Sequence, residues 1–160
     1  MCHGSITRCG RLIYGVSFQT DIPYSSLTVG APRETYPDER RVSLTPQNVA
    51  LLKKKGFSSV LVERNAGAAA QFLDGDYVKA GATLVSKEEL YKKTDILLKV
   101  RPPSQEEEVS SLKEGSTVIS FLYPAQNKSI VEKLASRNVN AFAMDMIPRI
   151  SRAQTFDALR

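Results

Sequence analysis

Three polar side chains lie close together near the end of the chain: Arg149, Gln154 and Asp157. They follow an apolar segment that ends at Pro148, so they belong to a short polar loop after a predicted strand. A cation, an amide and a carboxylate can hydrogen-bond a small polar ligand from several sides, and α/β folds bind ligands in loops at the ends of parallel strands. A second interpretation fits the same residues, because Ser151 through Gln154 forms a capping box that would only start a helix.

The segments before this loop alternate between strand and helix patterns. Short apolar segments predict five strands, at 27–30, 59–62, 95–100, 116–122 and 139–144. Helices are predicted between them at 48–55, 74–81, 86–92, from 104 onward and at 127–137, with capping residues at Thr45, Ser86 and Ser104. The alternation predicts an α/β domain with a doubly wound, mostly parallel sheet, Rossmann-like or flavodoxin-like, and right-handed crossovers.

The glycines of the chain do not form a phosphate-binding turn. No G-x-G-x-x-G and no Gly-Lys-Ser/Thr can be built from their positions. We therefore expect that the chain does not hold a dinucleotide alone. Residues 157–160 open a helical pattern without an end signal, so we expect the domain 27–160 to be truncated before a partner domain.

Composition excludes several other classes of function. The net charge of +5 is dispersed among acidic residues rather than gathered in a stripe, which argues against a nucleic-acid partner. No apolar run approaches the roughly 18 residues that a membrane helix needs. Cys2, His3 and Cys9 match no familiar metal spacing, and we predict no metal site.

The first 26 residues differ in composition from the remainder. They contain Arg8, Arg11 and several hydroxyl side chains, with no acidic residue before Asp21. This bias predicts either a mitochondrial presequence or a leader with no targeting role.

Residues 28–46, TVGAPRETYPDERRVSLTP, carry a family resemblance. They resemble the N-terminal signature that alanine dehydrogenases share with NAD(P) transhydrogenases, apart from mild departures at Asp38 and Ser43. The Ala-Gly-Ala strings at 66–68 and 80–82 and the Leu-Lys-Val-Arg-Pro string at 98–102 follow in the order that the family has. The resemblance extends from Leu27 to the end of the chain.

Individual residues bear on which branch of the family the chain resembles. In alanine dehydrogenases the positions of Arg41 and Lys99 bind pyruvate, and a histidine stands where this chain has Tyr123. These three residues are the candidates for a substrate pocket, although Arg41 and Lys99 could instead be structural partners of nearby acids. Without the imidazole, the usual acid/base for reducing an imine is missing. The strings at 120–127 and 148–154 resemble those of animal transhydrogenases.

The transhydrogenase branch implies a function, a site and partners. Proton-translocating NAD(P) transhydrogenase passes a hydride between NAD(H) and NADP(H), and this chain resembles most of the first subdomain of its NAD(H)-binding component. In that family the loop matching Arg149, Gln154 and Asp157 contacts the nicotinamide, with no residue needed as acid or base. The implied partners are a NAD-binding Rossmann domain, a NADP-binding component, a membrane domain and a second copy in a homodimer, at the matrix side of the mitochondrial inner membrane. Two alternatives are an amino-acid dehydrogenase of the alanine or saccharopine type and a non-catalytic truncated module.

Overall fold

The computed structural model of the chain describes residues 22–103 and 106–147, without the side chain of residue 106. Six strands and five α-helices alternate in this part of the chain: β1 Thr28–Ala31, α1 Pro46–Lys54, β2 Ser59–Glu63, α2 Asp74–Lys79, β3 Thr83–Val85, α3 Lys87–Lys93, β4 Ile96–Leu98, α4 Glu106–Ser111, β5 Thr117–Ser120, α5 Lys128–Ser136 and β6 Asn140–Ala143. A 3₁₀ turn, Met144–Met146, follows β6.

The strands form a single parallel sheet in the order β3-β2-β1-β4-β5-β6. Val29 of β1 pairs with Val60 on one side and with Ile96 on the other. The chain winds outward from β1 to β3 and then returns to β4, so the strand order reverses between β1 and β4. This confirms the predicted doubly wound fold and creates the switch point at which such sheets bind ligands.

Each face of the sheet is covered by an apolar core. On β2, Leu61 packs in one cluster while Val60 and Val62 pack in the other, because successive side chains of a strand point to opposite faces. One cluster includes Leu90, Leu97 and Leu134, and the other includes Val49 and Tyr77. Helices on both faces follow from this pattern of burial.

Two of the predicted helix starts are confirmed. The Thr45 hydroxyl accepts a hydrogen bond from the Asn48 N–H at 3.4 Å, with Pro46 as the first helical residue. The Ser86 hydroxyl accepts one from the Glu89 N–H at 3.3 Å. These caps satisfy backbone donors that the first helical turn leaves free. The predicted capping box at Ser104 lies outside the described residues.

One strand was missing from the sequence-based prediction. β3 has only three residues, and Thr83 at its start is exposed. Its side chains therefore show too little apolar pattern to distinguish a strand from a loop between α2 and α3.

Gly30 lets α3 approach β1 closely. A Cβ at this position would lie 2.2 Å from the Thr94 hydroxyl oxygen, which is buried and donates to the Leu90 carbonyl oxygen at 2.6 Å. The absence of a side chain at Gly30 thus fixes where the chain enters β4, next to the switch point.

The last residues of the predicted leader pack against the domain. Residues 24–26 belong to the segment that composition assigned to a leader, and the Tyr24 ring stacks on the Phe57 ring with centroids 5.1 Å apart. Within residues 22–103 and 106–147, no helix has the length and apolar character to cross a membrane.

Candidate functional site

The candidate site lies at the carboxyl edge of the sheet, where the loops after β1, β4 and β5 meet. Glu34, from the loop after β1, links this loop to the one after β4. Its carboxylate accepts the Val100 N–H at 2.6 Å and the Arg101 N–H at 3.3 Å. Burial raises the pKa of Glu34, and Lys99 and the two N–H groups oppose that rise. The carboxylate of Glu34, a group of the protein itself, therefore occupies the switch point between β1 and β4.

Three buried side chains, Glu34, Lys99 and Glu108, and the partly exposed Lys87 at their edge form what we call the buried cluster. The Lys99 ammonium lies 3.3 Å from one Glu108 oxygen and 3.8 Å from Glu34, and its side chain is 1% exposed. Lys87 approaches the other Glu108 oxygen at 3.1 Å. Two ammonium groups and two carboxylates cancel in formal charge, which is the arrangement that makes buried charges tolerable.

A second group of side chains, the exposed cluster, comprises Tyr36, Glu39, Arg41 and Arg101. Glu39 accepts two hydrogen bonds from the Arg41 guanidinium, both at 2.7 Å, and one from the Arg101 guanidinium at 2.8 Å. Hydrogen bonding to Arg41 lowers the pKa of Glu39 to about 2. The Arg101 guanidinium also lies 4.8 Å from the centre of the Tyr36 ring, within the range of a cation–π interaction.

The exposed cluster borders an open cavity of about 280 Å³. Its walls come from the loops after β1 and β2: Arg33, Glu34, Glu39, Arg41, Asn65, Ala66, Ala68 and Ala69. Ligand pockets span about 300–1,000 Å³, so this cavity lies at the small end of that range. Its lining combines guanidinium and amide donors with the carboxylates of Glu34 and Glu39, so it suits a polar ligand group.

The turn after β5 holds Tyr123 in a left-handed backbone conformation, with φ at +47°. One Asp145 oxygen accepts the Leu122 N–H at 2.7 Å and the other accepts the Tyr123 N–H at 3.2 Å. The Asn127 amide donates to the carbonyl oxygens of Leu122 and Tyr123 at 2.8 and 3.3 Å. The Phe121 and Tyr123 rings stack with centroids 6.5 Å apart.

The three predicted substrate-pocket residues differ in their surroundings. Arg41 lines the cavity with its side chain 55% exposed. Lys99 is buried and does not line it. Hydrogen bonding to Glu39 raises the pKa of Arg41, and Tyr123 adds an electrostatic contribution in the same direction. Both cations have the acidic partners that the structural interpretation of the sequence anticipated.

The predicted nicotinamide loop, Arg149, Gln154 and Asp157, lies outside the described residues. Among the side chains that the structure describes, no group of three or more His, Cys, Asp and Glu could hold a metal ion.

Sequence reasoning missed Glu108 and Asp145. Glu108 belongs to a run of three glutamates that resembles a solvated surface segment. A signal was present, because Glu108 directly precedes the buried residue Val109 and stands four positions before the buried residue Leu112. Asp145 gave no local signal, since its partners stand 22 and 23 residues away in the chain.

Comparisons with known proteins identify relatives of this chain. The family model described as "Alanine dehydrogenase/PNT, N-terminal domain" matches residues 30–160. NAD(P) transhydrogenase subunit alpha of Haemophilus influenzae is 41% identical over 133 residues, which are 83% of this chain and 25% of that protein. The structure of transhydrogenase from Sinorhizobium meliloti superposes with a TM-score of 0.75 at 37% identity, covering 80% of this chain and 36% of that chain.

The dehydrogenase branch is also represented. Alanine dehydrogenase 2 of Staphylococcus aureus is 35% identical over 121 residues, which are 76% of this chain and 32% of that protein. The chain thus spans about a quarter to a third of the length of the proteins that it matches.

Proposed function

The chain belongs to the alanine dehydrogenase/PNT N-terminal domain family, and from this premise we propose that it is part of a proton-translocating NAD(P) transhydrogenase. In this proposal residues 27–160 form the first subdomain of the NAD(H)-binding component, which closes the NAD(H) cleft and contacts the nicotinamide. A NAD-binding Rossmann domain, a NADP-binding component and a membrane domain complete the enzyme, which works as a homodimer.

The observation that carries the proposal is the turn after β5. It holds Tyr123 in a left-handed backbone conformation, and the resemblance aligns Tyr123 with the position where the dehydrogenase branch has its acid/base histidine. Imidazole is the side chain most often used as the acid/base of an imine reduction, whereas hydride transfer between two nicotinamides needs only proximity and orientation. A site without an imidazole therefore suits the second reaction better.

The chain's own residues have limited tasks in this mechanism. The bound nucleotides supply the hydride donor and acceptor. Arg149, Gln154 and Asp157 would orient the nicotinamide end through hydrogen bonds, and the cavity beside Arg41 would receive one polar group of the ligand. The switch point is occupied by Glu34, so pyrophosphate binding falls to the Rossmann domain. We expect titration of the isolated chain with NADH to give weak binding or none, and a dissociation constant in the low micromolar range would contradict this division.

The amino-acid dehydrogenase remains the second candidate. It is favoured by Arg41 and Lys99, which stand at the pyruvate-binding positions of that branch, and by the similarity to alanine dehydrogenase 2. The ion pairs of both cations and the identity of Tyr123 weigh against it. The third candidate, a non-catalytic module, predicts no hydride transfer by any protein that contains this domain.

Location at the matrix side of the mitochondrial inner membrane is part of the proposal and rests on the composition of residues 1–26 and on the resemblance. The relatives named above are bacterial. Fusion of residues 1–26 to a fluorescent protein tests whether this segment directs import into mitochondria. Fluorescence in the cytosol would contradict the proposed location.

Gln154→Asn in the complete enzyme tests the proposed contact with the nicotinamide. The shorter side chain would displace the reacting carbons, and an error of about 1 Å costs on the order of 10²-fold in rate. We expect slower single-turnover hydride transfer from NADH to an NADP⁺ analogue, with little change in NADH binding. Gln47→Asn, at an exposed position of α1, is the matched control. If the Gln154 variant melts earlier but transfers hydride at the parental rate, Gln154 only caps a helix.

A further inference from the structure

One face of the sheet carries a line of apolar side chains from its centre to its edge. On the face where α1 and α2 lie, Ala31 of β1 and Val62 of β2 pair in register and are fully buried. Toward the other edge, Leu98 of β4 pairs with Ile119 of β5, and Ile119 pairs with Phe142 of β6. Residues paired in register on neighbouring parallel strands share a face. We call Leu98, Ile119 and Phe142 the apolar row.

Burial decreases outward along the apolar row. Leu98 packs against the core cluster beneath α1 and α2. Among the described residues, neither core cluster includes Ile119 or Phe142, and Phe142 is 59% exposed. Their strand neighbours Val118 and Ala143 pack in the core on the opposite face. In the part of the chain that the structure describes, β5 and β6 are therefore covered by a core on one face only.

The open face is polar at one end of the strands and apolar at the other. Thr117 pairs with Asn140 near the amino ends of β5 and β6, and Ile119 pairs with Phe142 near the carboxyl ends. All-parallel sheets occur almost only with both faces covered, and the covering elements are helices. An apolar patch with a polar border marks a surface that another element contacts. The carboxyl half of this face thus has the chemistry of a helix-packing surface.

The apolar row offers too little area to hold a second copy of the chain by itself. A stable interface between two proteins buries about 800 Å² on each partner, whereas one large aromatic side chain buries only about 150–250 Å². Leu98 and Ile119 are already partly buried, and only Phe142 is largely exposed. A segment that is joined covalently to the domain needs less area, because its effective concentration is high.

The lengths of the relatives are consistent with such a segment. This chain covers 25% of the transhydrogenase subunit alpha of Haemophilus influenzae and 36% of the Sinorhizobium meliloti transhydrogenase chain. We propose that the apolar row is the docking surface for an amphipathic helix from the further part of the same polypeptide, which completes the helical layer over β5 and β6. The inference rests on the proposed function, because it assumes the further domains of a transhydrogenase.

Thiol labelling at position 142 tests this surface. In chains that carry Cys2→Ser and Cys9→Ser, Phe142→Cys leaves one thiol in the domain, at the outer end of the apolar row. We expect N-ethylmaleimide to modify it rapidly in the 160-residue chain and at least about tenfold more slowly in the complete polypeptide, because a covered side chain reacts only through local opening. Leu51→Cys on α1, where the leucine is 52% exposed, is the matched control and should react equally in both. Equal rates at position 142 would overturn the inference.

Two other results of the same experiment would also overturn it. Slow labelling of the monomeric 160-residue chain would mean that another part of this chain covers the apolar row. Labelling that becomes slower as the concentration of the 160-residue chain rises, together with a dimer in sedimentation velocity, would assign the apolar row to a second copy.

A charge at position 142 provides a second measurement. In the complete polypeptide Phe142→Asp would bury an unpaired carboxylate, so we expect the melting temperature to fall by several degrees. In the 160-residue chain the residue is at the surface, where substitutions have little effect, and the melting temperature should hardly change. Phe142→Leu keeps an apolar side chain and should retain most of the stability. Equal losses from Phe142→Asp in the two proteins would contradict a covering helix.

Neither measurement requires hydride transfer, so the inference and the proposed function can fail separately. If the complete polypeptide protects position 142 but transfers no hydride from NADH to an NADP⁺ analogue, the proposed function fails and the docking surface stands. If it transfers hydride while position 142 reacts as fast as in the 160-residue chain, the docking surface alone is wrong.

Discussion

Two clusters of charged side chains lie next to each other at the carboxyl edge of the sheet, and they differ in exposure. In the buried cluster the side chains of Lys99, Glu34 and Glu108 are 1%, 3% and 0% exposed, and only Lys87 at its edge, 33% exposed, reaches water. In the exposed cluster Arg41 is 55% exposed, although the Glu39 carboxylate that it contacts is 4% exposed. Arg41 and Lys99 have the same charge, and both were predicted to line one substrate pocket. Only the Arg41 side chain is accessible to water.

The difference assigns distinct tasks to the two cations. A buried charge that loses its partner remains desolvated and uncompensated, so the buried cluster must be kept intact for folding. A surface ion pair contributes little to stability because water and salt screen it. Arg41 is consequently available to a ligand in the adjoining cavity, whereas Lys99 holds α4 and the loops after β1 and β4 together.

The largest expected effect is that of Lys99→Met. It leaves the carboxylates of Glu34 and Glu108 buried with fewer counter-charges, a change that typically costs about 3–5 kcal/mol in the free energy of unfolding. Urea denaturation of the 160-residue chain at neutral pH measures this. Lys93→Met is the control, because Lys93 pairs with Glu89 on the exposed face of α3 and should cost only about 0.5 kcal/mol. Equal losses in the free energy of unfolding for the two variants would contradict the proposed difference between buried and exposed ion pairs.

The pH dependence of Glu39 should give the next largest effect. Its pKa falls from an ordinary value of 4.5 to about 2 in the folded chain, so the unfolded chain binds more protons between these values. Stability from Glu39 is therefore present above pH 4.5 and is lost as the pH falls toward 2. With discounting for the exposure of Arg41, we expect about 1 kcal/mol, measured as the difference between the parental chain and Glu39→Gln across this range. A difference that does not change with pH would contradict the pairing with Arg41 and Arg101.

Glu34 should give a smaller effect of opposite sign. Burial raises its pKa, so the folded chain binds more protons than the unfolded chain between 4.5 and the raised value. Its contribution to stability therefore decreases as the pH rises through that window. Lys99 and the two backbone donors offset burial and keep the effect small. Denaturation of the parental chain and of Glu34→Gln above pH 4.5 should show this slope in the parental chain only.

The smallest expected change in stability is that of Arg41→Met. The side chain is half exposed, and Arg101 continues to pair with Glu39. We expect a loss of about 0.5 kcal/mol or less in the free energy of unfolding, together with a higher pKa of Glu39 observed by NMR titration. A loss as large as that of Lys99→Met would mean that Arg41 belongs to the folding core.

Much of the fold could be predicted from the sequence because its signals are local. Thr45 and Pro46 mark the start of α1, and alternation of apolar segments with capped helices indicates the doubly wound sheet. β3 was missed because three residues carry almost no periodicity.

The candidate site depended on contacts that sequence does not display. Arg41 and Lys99 look equivalent as residue types, and only the burial of Lys99 by α4 separates them. Glu108 resembles its surface neighbours until the orientation of α4 is known. The link from Asp145 to the Tyr123 turn crosses from β6 to β5 and has no local pattern.

The most direct test of the central claim compares two reactions of the complete enzyme to which we propose that this chain belongs. NADH is offered once with an NADP⁺ analogue and once with pyruvate and ammonium. Our account predicts reduction of the analogue and no NADH oxidation that depends on both pyruvate and ammonium, because the resemblance aligns Tyr123 with the acid/base histidine of the dehydrogenase branch. Oxidation of NADH that requires pyruvate and ammonium, without reduction of the analogue, would contradict the account and assign the chain to an amino-acid dehydrogenase.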